Sequence, residues 1–186
     1  MASENRKLLN IELGRISAEE YKQQPDSGIV VVLDNIRSAH NVGSVFRSCD
    51  SFKADRIILC GICPLPPSAE IHKSALGAEN SVPWQHFGDT MEAIKTLKEE
   101  GYEIISVEQA VGSVSLDRYN PYTNDCRQKK IAIIFGNEVS GVQQEAVDFS
   151  DKVLEIPQYG TKHSLNVSVT AGIILWHLRL MMNLKK

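Results

Sequence analysis

The sequence predicts an α/β protein with a parallel β-sheet that is covered by helices on both faces. Segments rich in β-branched residues alternate along the chain with segments whose apolar residues recur at helical spacing. The strand-like segments at residues 29–33 (IVVVL) and 131–135 (IAIIF) are continuously apolar, which is typical of parallel strands buried on both faces. Glycine and amide residues follow several of these segments directly, and α/β proteins place their binding sites at such positions.

A capping box begins the first predicted helix, because Ser17 is followed three residues later by Glu20. This helix is expected to end before Pro25, since proline disfavours a helical conformation in the residue that precedes it. The later elements are predicted from their apolar patterns: a strand at 29–33, a helix at 41–52, a strand at 56–60, a helix at 89–100, strands at 102–107 and 131–135, a helix at 143–149, a strand at 152–156 and a long helix at 165–182.

The composition predicts one domain with a substantial core. The chain has 186 residues, of which 42% are hydrophobic and 23% are charged. The loops at residues 61–67 and 112–122 are neither long enough nor polar enough to separate two domains. We therefore interpret residues 1–28 as a short helical extension and residues 29–186 as a single domain.

The charge and hydropathy of the chain restrict its binding partners and its location in the cell. The formal net charge of -3 provides no general attraction for a polyanion, so any contact with nucleic acid requires a local basic patch. The longest apolar run, near residues 173–175, is too short to span a bilayer, and no apolar stretch follows basic residues at the N-terminus. No membrane contact is expected, and a cytoplasmic protein is predicted.

The four cysteines do not predict a disulfide scaffold. Cys60 and Cys63 have the C-x-x-C spacing of half a zinc site or of a redox pair, but no second pair completes four ligands. Proline residues follow where a thioredoxin-like motif would begin a helix. We interpret the pair as the end of a strand that enters a loop, and no metal site is predicted.

Two common nucleotide-binding motifs are absent from the sequence, G-x-G-x-x-G and G-x-x-x-x-G-K-[ST]. Gly136 and Gly141 have the glycine spacing of the second motif, but Val142 and Gln143 occupy the positions of its lysine and its serine or threonine. The sequence therefore does not indicate an enzyme of either type.

Three blocks within residues 29–180 instead resemble a known family. They are residues 41–47 (NVGSVFR), 135–141 (FGNEVSG) and 156–169 (IPQYGTKHSLNVSV). In this order they resemble the three motifs of the SpoU (TrmH-like) branch of the SPOUT methyltransferases. The resemblance implies a SPOUT fold with a C-terminal trefoil knot, and an enzyme that transfers a methyl group from S-adenosylmethionine to a ribose 2′-hydroxyl of RNA.

The resemblance also implies where S-adenosylmethionine binds. The residues that match the family's adenosine-binding segments are Gly136, Ile156 and Leu165, and we add Asn137, Gln158 and Val107 as candidate contacts. Gln158 departs from the methionine that the family often has at this position. We expect Gly136→Val to fill the adenosine space and to weaken cofactor binding without unfolding the protein.

The candidate catalytic residues come from all three blocks: Asn41, Arg47, Glu138, Ser164 and Asn166. Arg47 matches the arginine of the family's first motif, and its guanidinium suits phosphate anchoring and oxyanion stabilisation better than proton abstraction. The amides of Asn41 and Asn166 can fix turns around the site and orient Arg47 or the ribose. Asn41 is also expected to cap its helix. Glu138 is expected to orient Arg47 or to stabilise the binding loop, and Ser164 to cap the last helix and contact substrate or cofactor.

Basic residues near the motif loops predict an RNA-binding surface on this acidic protein. The candidates for phosphate contact are Arg37, Lys73, Lys162 and His163. The apolar residues of the last predicted helix, for example Ile173 and Trp176, cover a wider part of its surface than a single stripe facing the core requires. This excess predicts a homodimer, and the resemblance implies one too, because members of the family pair through their knots.

Transfer RNA is favoured over ribosomal RNA as the substrate, because the chain resembles the small members of the family. Two alternatives remain open. One is a non-catalytic RNA-binding dimer of the same fold, although Asn41, Arg47 and Glu138 are all present. The other is a SPOUT enzyme that methylates an RNA base, although residues 41–47 match the branch that modifies ribose.

Overall fold

The computed structural model describes residues 5–122 and 128–183 of the chain. Its strands are β1 (Ile29–Asp34), β2 (Arg56–Cys60), β3 (Trp84–Phe87), β4 (Glu103–Val107), β5 (Val114–Ser115), β6 (Ile131–Gly136) and β7 (Lys152–Glu155). Its helices are α1 (Ala18–Gln23), α2 (Ala39–Phe52), α3 (Ala69–Ala75), α4 (Ala78–Ser81), α5 (Thr90–Glu99), α6 (Gln144–Phe149) and α7 (Val167–Asn183), with 3-10 turns at Asn10–Leu13 and Leu116–Arg118.

The strands form one sheet in the order β3-β2-β1-β6-β4-β7-β5, and all six strand pairs are parallel. Alternate residues of β1 point to opposite faces, so that Val31 joins a core with α2, α3 and α7, while Val32 joins a core with α5 and α6. The prediction of a parallel sheet with helices on both faces is confirmed.

The carboxyl ends of the central strands lie at one edge of the sheet. Asp34 at the end of β1 is in register with Gly136 at the end of β6, and Val107 at the end of β4 is in register with Phe135. The chain order reverses between β1 and β6, since β2 and β3 lie on one side of this pair and β4, β7 and β5 on the other. Open α/β sheets bind ligands at such a switch point.

The predicted elements agree with the structure within a few residues, with one correction and several omissions. Helix α2 begins at Ala39, and the side chain of its N-cap Ser38 accepts a hydrogen bond from the backbone N–H of Asn41. The expectation that Asn41 caps this helix is therefore wrong, because Asn41 lies inside the first turn. Strands β3 and β5 and helices α3 and α4 were not predicted, since these short elements lack a sustained apolar run.

Gly43 allows helices α2 and α3 to pack closely. A Cβ atom at Gly43 would lie 2.2 Å from Ser74 Oγ and 2.3 Å from the carbonyl oxygen of Ile71. Both distances are shorter than any normal contact, and one of the two atoms belongs to the backbone. The glycine of the first block is thus required by helix packing.

Gly43→Ala should lower the free energy of unfolding by about 1–3 kcal/mol, because the two helices must separate to admit the methyl group. The control is Gly88→Ala in the turn between β3 and α5, where the new Cβ would have no atom within 4 Å. The control should leave stability unchanged or raise it by about 0.5–1 kcal/mol. Urea denaturation measures both changes, and equal stability of the two variants would contradict the packing argument.

No helix within residues 5–122 and 128–183 is long and apolar enough to cross a membrane.

Candidate active site

A cavity of about 460 Å³ lies at the carboxyl ends of β4, β6 and β7, against the start of α7. The strands and the chain segments that follow them supply its walls. The six predicted cofactor contacts all line this cavity: Val107, Gly136, Asn137, Ile156, Gln158 and Leu165. Of the candidate catalytic residues, Glu138, Ser164 and Asn166 line it as well.

The loop after β6 forms one wall of the cavity and is held in a tight conformation. The Asn137 carbonyl accepts a hydrogen bond from Gly141 N–H at 3.0 Å. The side-chain Oδ1 of Asn137 accepts bonds from Val139 N–H and Ser140 N–H, both at 2.9 Å. The Asn137 side chain therefore satisfies backbone groups of its own loop, in the manner of an Asx turn.

Gly136 begins this loop, and no larger residue fits there. A Cβ atom at Gly136 would lie 2.0 Å from Gly141 C and 2.0 Å from Val142 N. Because these are backbone atoms, they cannot rotate away as the end of a side chain could. The expectation that Gly136→Val only fills the adenosine space without unfolding the protein is therefore wrong. The change would force the loop itself to move.

Glu108 supports the same loop from the end of β4. Its carboxylate accepts a hydrogen bond from Val142 N–H at 3.2 Å and another from Gln109 N–H at 2.9 Å. A Cβ at Gly141, whose φ is +68°, would lie 2.1 Å from Glu108 Oε2. Neither Glu108 nor Gln109 was among the predicted site residues, although both line the cavity. Their position directly after a predicted strand was the available signal.

Three residues from the three sequence blocks form a hydrogen-bonded chain beside the cavity. Asn166 Nδ2 donates to Asn41 Oδ1 at 3.1 Å, and Asn41 Nδ2 donates to Glu138 Oε1. The three residues are separated by up to 125 positions in sequence. Asn41 is 8% exposed, so its amide uses both its donor and its acceptor in a mostly buried position.

Asn166 also caps the last helix, a role that we expected of Ser164. Asn166 Oδ1 accepts hydrogen bonds from Ser168 N–H at 2.9 Å and from Ser168 Oγ at 2.6 Å. Ser164 is exposed and lines the cavity two residues before Asn166. The expectation that Ser164 caps α7 is therefore wrong, because Asn166 is the residue that directly precedes the helix.

Unlike the other candidate catalytic residues, Arg47 neither lines the cavity nor joins the hydrogen-bonded chain. Its side chain is exposed and does not line the cavity. It lies six residues after Asn41, which places it about 240° around the same helix. Within the two described ranges, no hydrogen bond or ion pair engages its guanidinium, and Glu138 bonds to Asn41 in place of Arg47. The structure therefore does not show the predicted orientation of Arg47 by Glu138.

None of the candidate RNA-binding residues lines the cavity. Arg37, Lys73, Lys162 and His163 are all exposed. Arg37 lies in the loop between β1 and α2, Lys73 lies in α3, and the other two lie in the segment before α7. The backbone carbonyl of His163 accepts a hydrogen bond from Gln109 Nε2 at 2.6 Å, which ties that segment to the end of β4.

A buried carboxylate fixes the far end of the loop after β6. Asp34 is fully buried and accepts hydrogen bonds from Gln143 N–H at 2.8 Å and Gln143 Nε2 at 2.7 Å. It also accepts from Thr90 Oγ1 at 2.7 Å and from Asn35 Nδ2 at 2.9 Å. The sequence did not predict this role, because it shows Asp34 only as a polar residue after a predicted strand. Asp34 connects β1 to the start of both α5 and α6.

Asp34→Asn should lower the free energy of unfolding by about 1–3 kcal/mol. The new amide group replaces one acceptor oxygen with a donor, which then faces the donors of Gln143 or Thr90. Glu145→Gln on the exposed surface of α6 is the control, and it should change stability by less than about 0.5 kcal/mol. Urea denaturation distinguishes the two, and an unchanged midpoint for Asp34→Asn would show that the network is not stabilising.

The cysteine pair lies in the core. Cys60 and Cys63 are both buried, and burial raises the pKa of the Cys60 thiol to about 12 and that of Cys63 to about 11. Cys63 Sγ accepts a hydrogen bond from Ile36 N–H at 3.2 Å and donates to the Leu33 carbonyl at 3.3 Å. In the part of the chain that the structure describes, no three His, Cys, Asp or Glu side chains are grouped to hold a metal ion.

The fold and the cavity define an α/β protein with a ligand site at the carboxyl edge of a parallel sheet, bordered by a chain of two amides and a carboxylate. A sequence model of the SpoU rRNA Methylase family matches residues 28–176. The chain therefore belongs to the SpoU family.

Individual relatives agree with this assignment. A tRNA (guanosine(18)-2'-O)-methyltransferase of Aquifex aeolicus is 30% identical over 170 residues, which cover 91% of this chain and 76% of the relative. A 23S rRNA (guanosine-2'-O-)-methyltransferase, RlmB of Neisseria meningitidis serogroup B, is 30% identical over 151 residues, which cover 81% of this chain and 58% of the relative. The chain thus spans only about three fifths of the length of several relatives.

Solved structures have the same fold. The AdoMet-bound rRNA methyltransferase of Sinorhizobium meliloti superposes with a TM-score of 0.76 at 26% identity, over 86% of this chain and 59% of that one. The TrmH/SpoU tRNA modifying enzyme of A. aeolicus superposes with a TM-score of 0.78 at 23% identity, over 90% of this chain and 83% of that one.

Proposed function

We propose that this chain is an RNA methyltransferase that uses S-adenosylmethionine to methylate a ribose 2′-hydroxyl. One observation carries the proposal. The cavity at the carboxyl ends of β4, β6 and β7 is lined by all six predicted cofactor contacts and borders the chain formed by Asn166, Asn41 and Glu138. The guanosine 2'-O-methyltransferases among the relatives support the ribose as the target.

The residues of the cavity fit S-adenosylmethionine. The cavity volume lies within the range of about 300–1,000 Å³ that is usual for small-molecule sites. Val107, Ile156 and Leu165 offer apolar contact to an adenine ring, and the carboxylates of Glu108 and Glu138 favour a cationic ligand. When bound, S-adenosylmethionine supplies a methyl group on a positively charged sulfur.

The protein's contribution to the reaction is positioning and charge stabilisation. A ribose hydroxyl is a weak nucleophile, so it must be held in line with the methyl donor and stabilised as its proton leaves. Asn41 and Asn166 are fixed by their mutual hydrogen bond and can orient the ribose. We assign Arg47 to the RNA phosphate and the developing charge on the 2′-oxygen, and Arg37, Lys73, Lys162 and His163 to further phosphates.

Transfer RNA is the proposed substrate. Relatives act on tRNA and on rRNA, but this chain covers 76–78% of the tRNA relatives and only 58% of the rRNA relative from Neisseria. A cytoplasmic location and the trefoil knot stay predictions from the sequence.

The experiment is transfer of labelled methyl groups to unfractionated tRNA and, separately, to ribosomal RNA, followed by digestion and mass spectrometry of the nucleosides. A 2′-O-methylated nucleoside from tRNA is expected. Label on a base would favour the base-methylating alternative, and RNA binding with no transfer would favour the non-catalytic dimer. If only ribosomal RNA were labelled, ribosomal RNA would replace tRNA as the substrate.

A homodimer is the proposed assembly. Helix α7 leaves Val169, Trp176 and Leu180 exposed by 49%, 55% and 41%, and Phe52 of α2 packs beside Trp176 with ring centroids 6.0 Å apart. Light scattering at micromolar concentration should report twice the chain mass, and Trp176→Asp should shift the protein toward the monomer. Lys95→Asp on the exposed surface of α5 is the control. A wild-type monomer with full activity would remove this proposal.

A further inference from the structure

A second cavity, of about 440 Å³, adjoins the first. Its walls come from the turn after β5 (residues 115–118), from the segment after β7 and from α7. Ile156 lines both cavities, so the two share one wall. Apart from Ile156, none of the residues that line this second cavity has been given a role above.

The two cavities follow one another along a single face of α7. Asn166 and Thr170 line the first cavity, and His177 lines the second. The spacings of four and seven residues place Thr170 and His177 on the same side of the helix as Asn166. At a rise of about 1.5 Å per residue, His177 lies roughly 16 Å along the helix from Asn166. That separation corresponds to a few nucleotides of an extended RNA chain.

The second cavity offers apolar surface. Pro157 and Leu116 contribute aliphatic groups to its lining, and the ring of Tyr159 is 96% exposed beside them. An exposed aromatic ring is a platform on which a nucleobase can stack.

The same cavity offers polar groups of both kinds. Asp117 accepts a hydrogen bond from Ser115 Oγ, which lowers the pKa of its carboxyl group and keeps it an acceptor. Arg118 is exposed and has no ion-pair partner within residues 5–122 and 128–183. His177 Nε2 is buried, and no described group forms a hydrogen bond with it. An acceptor at Asp117 together with a donor at Arg118 matches the edge of a base better than a phosphate, because a phosphate oxygen only accepts hydrogen bonds.

We propose that this second cavity binds a nucleotide of the RNA substrate that lies a few positions from the methylated one, with its base stacked on Tyr159 and its edge bonded to Asp117 or Arg118. This inference rests on the proposed function for the identity of the RNA. The open position of Tyr159 and Arg118 favours a nucleotide within a chain over a free nucleotide, because a chain can enter from the adjoining site.

The test measures the Kd of unfractionated tRNA for the full chain by filter binding. This Kd can be measured whether or not the protein transfers a methyl group. Tyr159→Ala should raise the Kd about tenfold, because the stacking surface is lost, and Tyr159→Phe should restore it. Arg118→Ala should raise the Kd about fivefold or more. The charge-matched control, Lys95→Ala, lies on α5 across the sheet and should change the Kd less than twofold.

Three further measurements decide the assignment. The affinity for S-adenosylhomocysteine, measured by calorimetry, should be unchanged in Tyr159→Ala, and a parallel loss would show that the variant acts through the first cavity and would overturn the subsite. Tight binding of guanosine or cytidine monophosphate with an unchanged Kd for tRNA would assign the cavity to a free nucleotide and overturn it as well. A change of oligomeric mass in either variant would make the cavity an interface between copies.

Different results contradict the nucleotide site in the second cavity and the proposed methyltransferase activity. Wild-type protein that binds tRNA but transfers no methyl group contradicts the enzyme, and the Kd series still tests the subsite. Wild-type protein that methylates tRNA, with Tyr159→Ala and Arg118→Ala at the wild-type Kd, overturns the subsite alone.

Discussion

Arg47→Ala should lower methyl transfer to RNA by about 10²-fold to 10³-fold while the affinity for cofactor stays unchanged. The expected loss is that of one contact to the developing charge on the 2′-oxygen. The unchanged affinity follows from the structure, since Arg47 is exposed and does not line the cavity. Transfer from labelled S-adenosylmethionine and calorimetry with S-adenosylhomocysteine measure the two quantities.

The conservative variant tests the chemistry of the contact. Arg47→Lys should recover little activity, because an ammonium group is a point charge and lacks the planar fork that engages a phosphate and a hydroxyl together. Lys95→Ala removes an exposed charge on the opposite face of the sheet and should leave transfer near the wild-type rate. Near-normal transfer by Arg47→Ala would contradict the role assigned to Arg47.

Gly136→Val should abolish cofactor binding at micromolar concentration and lower the free energy of unfolding by about 3 kcal/mol. The added Cβ would meet the backbone of Gly141 and Val142 at 2.0 Å, so the loop after β6 must move. That loop carries Asn137 and Glu138 into the cavity, and its displacement removes the wall on which the adenosine is proposed to lie. Calorimetry and urea denaturation check the two effects.

Gly160→Ala is the matched control, because a Cβ at Gly160 would have no atom within 4 Å. It should keep both stability and cofactor affinity near the wild-type values, although Gly160 lies in the third sequence block. A Gly136→Val protein with wild-type stability would show that the loop adapts to the side chain. The contact with the backbone would then not explain why position 136 is a glycine.

The sequence predicted the elements whose pattern is local. Strands β1 and β6 are continuously apolar because they are buried on both faces, and this burial is visible in the order of residues alone. Ser17 and Glu20 predicted helix α1 through a capping box that the structure contains. Three of the six cofactor candidates, Gly136, Ile156 and Leu165, came from the family resemblance, and all six line one cavity.

The interactions that the sequence missed join residues far apart in the chain. Asp34 bonds to Gln143 across 109 positions, and Glu108 supports Val142 across 34. No spacing rule connects such pairs, because their proximity is produced by the parallel strands ending at one edge. The position of Arg47 outside the cavity could not be predicted from the sequence either.

The sequence by itself determined the α/β class, the positions of the main strands along the chain and the glycine-rich positions after them, because these depend on apolar periodicity and short motifs. Only the tertiary structure decided why Gly43 and Gly136 must be glycine, which residue caps α2 and α7, and which polar side chains meet. The physical reason is that steric contact and hydrogen bonding depend on distance in space, and the sheet brings together atoms that the sequence separates by up to 125 residues.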